Sequence, residues 1–231
     1  MSDIKLELIV ESQVAKEALS FEARRLVCAG WVGKDKGALQ AHIDELAVEG
    51  IPGPGRTPIY MNFWPQLITT SEAIDVISGE TSGELEFVVL KGSDRLFIGV
   101  GSDHTDRGFE KYSIPASKQM YAKVMAPVVW PYWEIQSHWD QIVLRSWITS
   151  NHEKKLYQED PLSAILNVEE LMSGLPSEDN LSTEGLVLFS GTIATKAGLV
   201  FGERFDFEMD DPILNRKIRH GYQICALPQY L

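Results

Sequence analysis

Apolar and charged positions alternate from the start of the chain, with Ile4, Leu6 and Leu8 set between Lys5 and Glu7. A period of two is the mark of a half-buried strand, so the N-terminus predicts a strand and not a basic-then-apolar leader. The period then changes. Ala38, Leu39, His42, Ile43, Leu46 and Ala47 follow the three-four spacing of an amphipathic helix, and Gly50 is placed to end it. The prolines and glycines of the Ile51 to Pro58 stretch forbid helix and predict a rigid linker. From Ile59 the chain is strand-like. Leu85 to Leu90, Leu96 to Val100, Trp139 to Ile148 and Leu186 to Phe189 are rich in large or β-branched apolar residues, with turn residues between them. Gly198 to Asp206 and Ile218 to Leu227 predict late strands, and Leu162 to Met172 a helix. The pattern gives an α+β protein: an N-terminal strand and helix flank over residues 1–55, and a strand-rich domain over 56–231.

Composition narrows the partners. At 44% hydrophobic and 23% charged residues the chain has the balance of a folded globular protein. Acidic residues outnumber basic ones, 33 to 21, for a net charge of −12, which repels a phosphate backbone and argues against nucleic acid as a partner. Acidic small molecules stay open, because a cation held in a cleft inverts the local field. The richest apolar run, Val124 to Trp133, carries Pro127 and Pro131 and falls well short of the ~20 residues that cross a bilayer. No membrane partner and a cytoplasmic location are expected. Cys28 and Cys225 stand alone in apolar segments and read as reduced core residues.

Several chemistries lack their residues. Gly99-Val-Gly101 misses the third glycine of a dinucleotide fingerprint, and no glycine-rich loop ends in Gly-Lys-Ser/Thr. His152-Glu153 has no second histidine for a zinc helix, and no Gly-x-Ser-x-Gly elbow occurs.

The residues that carry chemistry are acidic. In a strand, Glu84 and Glu86 point to one face. Two carboxylates about 4 Å apart repel by roughly 4 kcal/mol at an effective dielectric of about 20. A lysine or arginine, a shared proton or a divalent cation must neutralise them, unless they form the solvated edge of a strand. Directly after the apolar Leu96 to Val100 stretch come Asp103, Thr105 and Arg107, in a polar segment that fits either a hairpin turn or a site at a strand end. A third carboxylate from there would complete an all-oxygen set suited to Mg²⁺, Mn²⁺ or Ca²⁺. His42 and Glu45 share a helix face, and a carboxylate beside a histidine fixes its tautomer and raises its basicity, as activation of water requires. Lys118 is a natural partner for excess carboxylates, and Ser190-Gly191-Thr192 offers donors to an anion.

In this order the pieces resemble the fumarylacetoacetate hydrolase superfamily: a His-x-x-Glu dyad, a stretch answered here by Pro58 to Asn62, a Glu-x-Glu strand, an Asp-x-Thr-x-Arg turn, a lysine and a Thr-Gly-Thr-like loop. The match spans about residues 25 to 210. The resemblance implies a mixed β-sandwich roll as the catalytic domain, commonly a homodimer. It implies Glu84, Glu86 and Asp103 as ligands of Mg²⁺ or Mn²⁺, with His42, Glu45 and Lys118 as catalytic residues. It also implies Tyr60, Asn62, Thr105, Arg107, Ser190, Gly191 and Thr192 around the substrate. Asn62 stands where the family often has lysine, Ser190 replaces a threonine and Ile193 a proline, and the segment from Glu86 to Asp103 is shorter than usual.

The expected activity is a metal-dependent hydrolase that cleaves a C–C bond in a small 2-oxo or 1,3-dioxo acid such as an acylpyruvate. A lyase on the same site (an enoic-acid hydratase, an oxo-acid decarboxylase or a sugar-acid dehydratase) is the alternative within enzymes. Outside enzymes, the alternative is a metal-dependent organic-acid binder without chemistry.

Overall fold

The structure, a computed structural model, describes residues 3–37, 39–40, 53–176 and 183–229. The predicted helix at 38–47, with His42 and Glu45, falls outside them apart from Leu39 and Gln40. Among the described residues the chain is mostly β with few helices. The strands are β1 (Ile4–Glu11), β2 (Lys16–Ala23), β3 (Arg25–Gly30), β4 (Ile59–Phe63), β5 (Ile68–Thr69), β6 (Ala73–Val76) and β7 (Thr81–Ser82). They continue as β8 (Leu85–Lys91), β9 (Leu96–Asp103), β10 (Thr105–Asp106), β11 (Lys123–Met125) and β12 (Val128–Pro131). The last are β13 (Val143–Ser150), β14 (Glu153–Pro161), β15 (Leu186–Phe189), β16 (Arg204–Asp211) and β17 (Arg216–Ala226). Short helices α1 (Arg107–Glu110), α2 (Ile114–Gln119), α3 (Tyr132–Ile135) and α4 (Val168–Gly174) interrupt them.

A ten-stranded mixed sheet runs β2-β1-β12-β9-β8-β15-β3-β4, with β11 and β5 joined at β9. A five-stranded sheet runs β14-β13-β16-β17-β6. β8 is buried on both faces, which is why Leu85 to Leu90 reads as a continuous apolar run save for Glu86. One face of the large sheet supplies Phe21, Cys28, Phe63, Val88, Phe97, Val129 and Phe189 to a single apolar cluster. Phe21 and Phe63 come from strands at opposite ends of the sheet order, so the sheet curls around this small core. The other face, with Phe87, Val89, Ile98 and Val100, joins Phe205, Phe207 and Tyr222 of the five-stranded sheet in the larger core. No helix among the described residues is long and apolar enough to cross a membrane.

Several expected elements differ. Residues 4–30 form three strands, not one strand followed by helix. β3 pairs with both β15 and β4, so long-range pairing decides its state, which local pattern does not report. The strand expected from Trp139 starts at Val143. Gln136–Gln141 is a 3₁₀ turn that lays the Trp139 ring edge-on to Phe87, with centroids 4.9 Å apart. The helix expected from Leu162 begins at Val168, where Asn167 and Glu170 form a reciprocal capping box. The strand expected at 198–206 begins at Arg204. Both cysteines are free, but only Cys28 is buried; Cys225 is exposed near the end of β17.

Candidate metal centre

The β8–β9 hairpin brings the acidic residues together. Its strands are antiparallel with Glu86 opposite Gly101, and the Asp103 N–H donates to the Glu84 carbonyl at 3.0 Å. Opposed residues share a face, so Glu84, Glu86 and Asp103 project to the same side, the side of the small core. The short segment between Glu86 and Asp103 is therefore a direct hairpin turning at residues 92–95. One carboxylate oxygen from each residue lies within 4.8 Å of the others. Oxygens on opposite sides of one Ca²⁺ stand about 4.6–5.2 Å apart, and on Mg²⁺ about 4.2 Å, so this set fits a single hard cation. Glu86 and Asp103 are buried, and Glu84 is nearly so.

Three cationic side chains meet the three carboxylates. The Lys118 ammonium, carried by α2, contacts Glu84 Oε2 and lies 3.0 Å from Asp103 Oδ2 and 3.3 Å from Thr105 Oγ1. Lys123 of β11 is wholly buried, with its ammonium 2.5 Å from Asp103 Oδ1. It also donates to the carbonyls of His104, at 3.0 Å, and Lys118. Arg107 spans Glu84 Oε1 at 3.0 Å, Glu110 at 2.9 Å and the Ser82 hydroxyl at 2.7 Å. Burial alone would raise the Glu84 and Asp103 carboxyls. Lys118 and Arg107 at the first, and Lys118 and Lys123 at the second, outweigh it and hold both below the ordinary carboxylate range. Glu86 goes the other way. Burial, then the charges of Asp103 and Glu84, push it well above that range. Its Oε2 accepts the Gly191 N–H at 2.9 Å, while Oε1 is buried with no hydrogen-bond partner among the described residues. A buried carboxylate oxygen without a donor is costly, and a cation on it would remove the cost. The all-oxygen set, its spacing and this orphaned atom fit a divalent ion.

The Ser190–Thr192 loop supports the carboxylates from β15. Gly191 adopts φ +85°, and a Cβ there would meet Val32 Cγ2 at 2.7 Å, so the turn that aims its N–H at Glu86 requires glycine. The Ser190 hydroxyl donates to the Gly191 carbonyl and the Thr192 hydroxyl to the Leu85 carbonyl. Gln158 on β14 ties this loop to β8. Its Oε1 accepts from Leu85 N and Ser146 Oγ, and its Nε2 donates to Thr192 Oγ1 and the Ile193 carbonyl. On the opposite face of β9, the Tyr222 hydroxyl lies 2.9 Å from Ser102 Oγ and 2.8 Å from His104 Nδ1, bracketing Asp103 from the five-stranded sheet.

Residues 29–222 match the model of DUF2848, a family described as proteins of unknown function. The chain belongs to the DUF2848 family. A search of curated proteins found no match. Among solved structures, the fold of this DUF2848 protein is that of fumarylacetoacetate hydrolase family proteins and related dehydratases. A Burkholderia cenocepacia protein proposed to be a fumarylpyruvate hydrolase is 18% identical, with TM-score 0.63 and 99% of each chain covered. The yeast protein ynq8, a fumarylacetoacetate hydrolase family protein, is 16% identical, with TM-score 0.63, covering 90% of this chain and 95% of its own. A 2-keto-3-deoxy-D-arabinonate dehydratase complexed with magnesium and 2,5-dioxopentanoate is 17% identical, with TM-score 0.62, covering 92% of this chain and 77% of its own.

The hairpin, the β10–α1 segment that follows it, α2 and the loop thus bring together Glu84, Glu86, Asp103, Thr105, Arg107, Lys118, Ser190, Gly191 and Thr192. Two expected site residues are engaged elsewhere. The Tyr60 hydroxyl donates to the Leu171 carbonyl of α4 at 2.9 Å. Asn62 is exposed and accepts from Arg25 at 3.0 Å. Both lie on the β4 face opposite Met61 and Phe63, and neither contacts the carboxylates. Arg107, expected to hold substrate, donates to Glu84, Glu110 and Ser82, and Thr192, expected likewise, donates to the Leu85 carbonyl. His42 and Glu45 lie outside the described residues. Lys123, Gln158, His104, Ser102 and Tyr222 escaped the sequence reading. Lys123 carried a signal, a lone lysine inside the Tyr121 to Ala126 apolar run, and Ser102 and His104 lie in the polar segment after Leu96 to Val100 without being given a role; Gln158 and Tyr222 carried none.

Proposed function

We propose that this DUF2848 protein is a metal-dependent hydrolase that cleaves a carbon–carbon bond in a small 2-oxo or 1,3-dioxo carboxylic acid of the acylpyruvate kind. The observation that carries this reading is the buried three-carboxylate set with the unpartnered Glu86 oxygen beside the Lys118 ammonium. Glu84, Glu86 and Asp103 would hold Mg²⁺ or Mn²⁺. When bound, the ion supplies Lewis-acid stabilisation of negative charge developing on the substrate's oxo oxygen.

The remaining work belongs to the chain. Lys118 presents a second positive charge in a site sheltered from water, where fixed electrostatics act most strongly. Arg107 and Lys123 keep Glu84 and Asp103 ionised, and Gly191 fixes the Glu86 carboxylate through its N–H. His42, oriented by Glu45, removes a proton from water; this assignment rests on their spacing in the sequence. Dehydration of a sugar acid by the same residues is the second reading, favoured by the dehydratases among the structural neighbours.

Calorimetric titration of Mg²⁺ and Mn²⁺ into the wild-type protein and Glu86→Ala tests the centre. The variant is expected to lose at least about tenfold in affinity; equal affinity overturns the proposal. Product analysis on acylpyruvates and 2-oxo-3-deoxy sugar acids separates the readings, by whether carbon is cleaved or only water is lost.

A further inference from the structure

The catalytic reading leaves a cleft of about 460 Å³ unused, large enough for a small ligand's side group. Among the described residues its walls include Trp31, Ile59, Met61, Ile114 and Pro115, and Arg56 is the charged one. Two elements join this cleft to the carboxylates. Ile114 and Lys118 stand four residues apart on α2, on one face and about 6 Å apart along the axis. On β4, Ile59, Met61 and Phe63 share a face, and the Phe63 ring lies 5.6 Å from the Lys123 ammonium that is paired with Asp103. Gly191, which holds Glu86, abuts Val32 and the Ala29 carbonyl on either side of Trp31. Ile114 at the cleft and Lys118 at the carboxylates are thus about one helical turn apart along α2, which is the reach a substrate bridging the two would need.

We infer that this cleft is the specificity subsite for the far end of the substrate, and that it takes an apolar acyl group of aryl or branched-alkyl size. The inference rests on the proposed function and narrows it. The apolar walls would leave the hydroxyls of a polyhydroxylated sugar acid without partners, which disfavours that substrate class. Arg56 puts positive charge at the cleft of a chain whose net charge is −12, favouring entry of an anion.

The test measures calorimetric affinities of the Mg²⁺-loaded protein for three acids with the same chelating head: pyruvate, 4-phenyl-2-oxobutanoate and a 2-oxo-3-deoxy sugar acid. None of the three carries the 1,3-dioxo group that hydrolytic cleavage needs. The phenyl compound is expected to bind at least about tenfold tighter than pyruvate, the effect of burying several apolar carbons. The sugar acid is expected to gain nothing over pyruvate. Ile114→Ser and Met61→Ser are each expected to abolish the phenyl advantage while leaving pyruvate and Mg²⁺ affinities intact, the latter showing that the variants are folded. If pyruvate binds but the phenyl group adds nothing, or the advantage survives both substitutions, the subsite is overturned and the proposed function stands. If none of the acids binds the Mg²⁺-loaded protein, the proposed function fails and the subsite with it.

Discussion

Lys118→Met is the most telling perturbation, because that ammonium stands among the carboxylates that would hold the ion. The attraction between Lys118 and Asp103 at 3.0 Å is about 5–6 kcal/mol before desolvation, at an effective dielectric of about 20. Glu84 adds a second contact. Desolvating the lysine cancels much of this gain. Removing one partner of a buried pair still costs about 3–5 kcal/mol, since the stranded carboxylates then repel one another. In the absence of divalent ions, Lys118→Met is expected to lose that much stability in urea denaturation. Mg²⁺ should then rescue the variant more than it stabilises the wild type, because a cation replaces the missing charge and no longer meets a competing ammonium. An added stabilisation at least about 1.4 kcal/mol larger than in wild type corresponds to tenfold tighter binding. Equal Mg²⁺ stabilisation of both proteins, or an undiminished metal-free variant, would refute the shared site of lysine and cation.

Three further outcomes are expected. Gln158→Met strands the Leu85 N–H and the Ser146 hydroxyl and removes the side-chain link from β14 to Thr192 and the Ile193 carbonyl, and should cost about 2–4 kcal/mol in urea denaturation; a loss below about 1 kcal/mol removes its linking role. Gly191→Ala meets both a positive φ and Val32, so it should destabilise by about 2–3 kcal/mol and weaken Mg²⁺ binding by displacing the N–H on Glu86; unchanged binding would mean that this hydrogen bond does not matter to the centre. His104 is held neutral, its pKa pushed down to about 3 by burial first and then by Lys123 and Arg107. Below about pH 6.5 the unfolded chain takes up a proton there and the folded chain does not, so stability present above that pH is lost as pH falls toward 3, by about 1.4 kcal/mol per unit. Between pH 6.5 and 4.5 the wild type should lose about 2–3 kcal/mol more than His104→Gln in chemical denaturation; parallel losses would refute a buried neutral histidine.

The character of the two carboxylate-bearing strands was legible in the chain because it is local. Period-two alternation and unbroken apolar runs marked β8, the body of β9 and β15, and Glu84 with Glu86 had to share a face once β8 was a strand. Helix boundaries were less legible: the Asn167 and Glu170 pair that caps α4 stands in the sequence, but the helix was expected to begin earlier, at Leu162. β3 was missed because its state comes from partners far along the chain, β4 and β15; β2 pairs with its neighbour β1 across the tight turn at residues 12–15, and its largely exposed Lys16 to Ala23 stretch carries little apolar pattern of its own.

The sequence by itself determined which groups had to be reckoned with: paired acids on an apolar strand, a third acid at the next strand's end, and a lysine to offset them. Tertiary structure decided who meets whom. The antiparallel register of β8 and β9 put Asp103 beside Glu84, α2 and β11 delivered Lys118 and Lys123 from one side, and β14 and β17 delivered Gln158 and Tyr222 from the other sheet. It also turned Tyr60 and Asn62 away and spent Arg107 on Glu84. Side-chain alternation is fixed by backbone geometry within a few residues, whereas charge pairing is fixed by whichever opposite charge the folded chain brings within about 3 Å, and no spacing along the sequence encodes that distance.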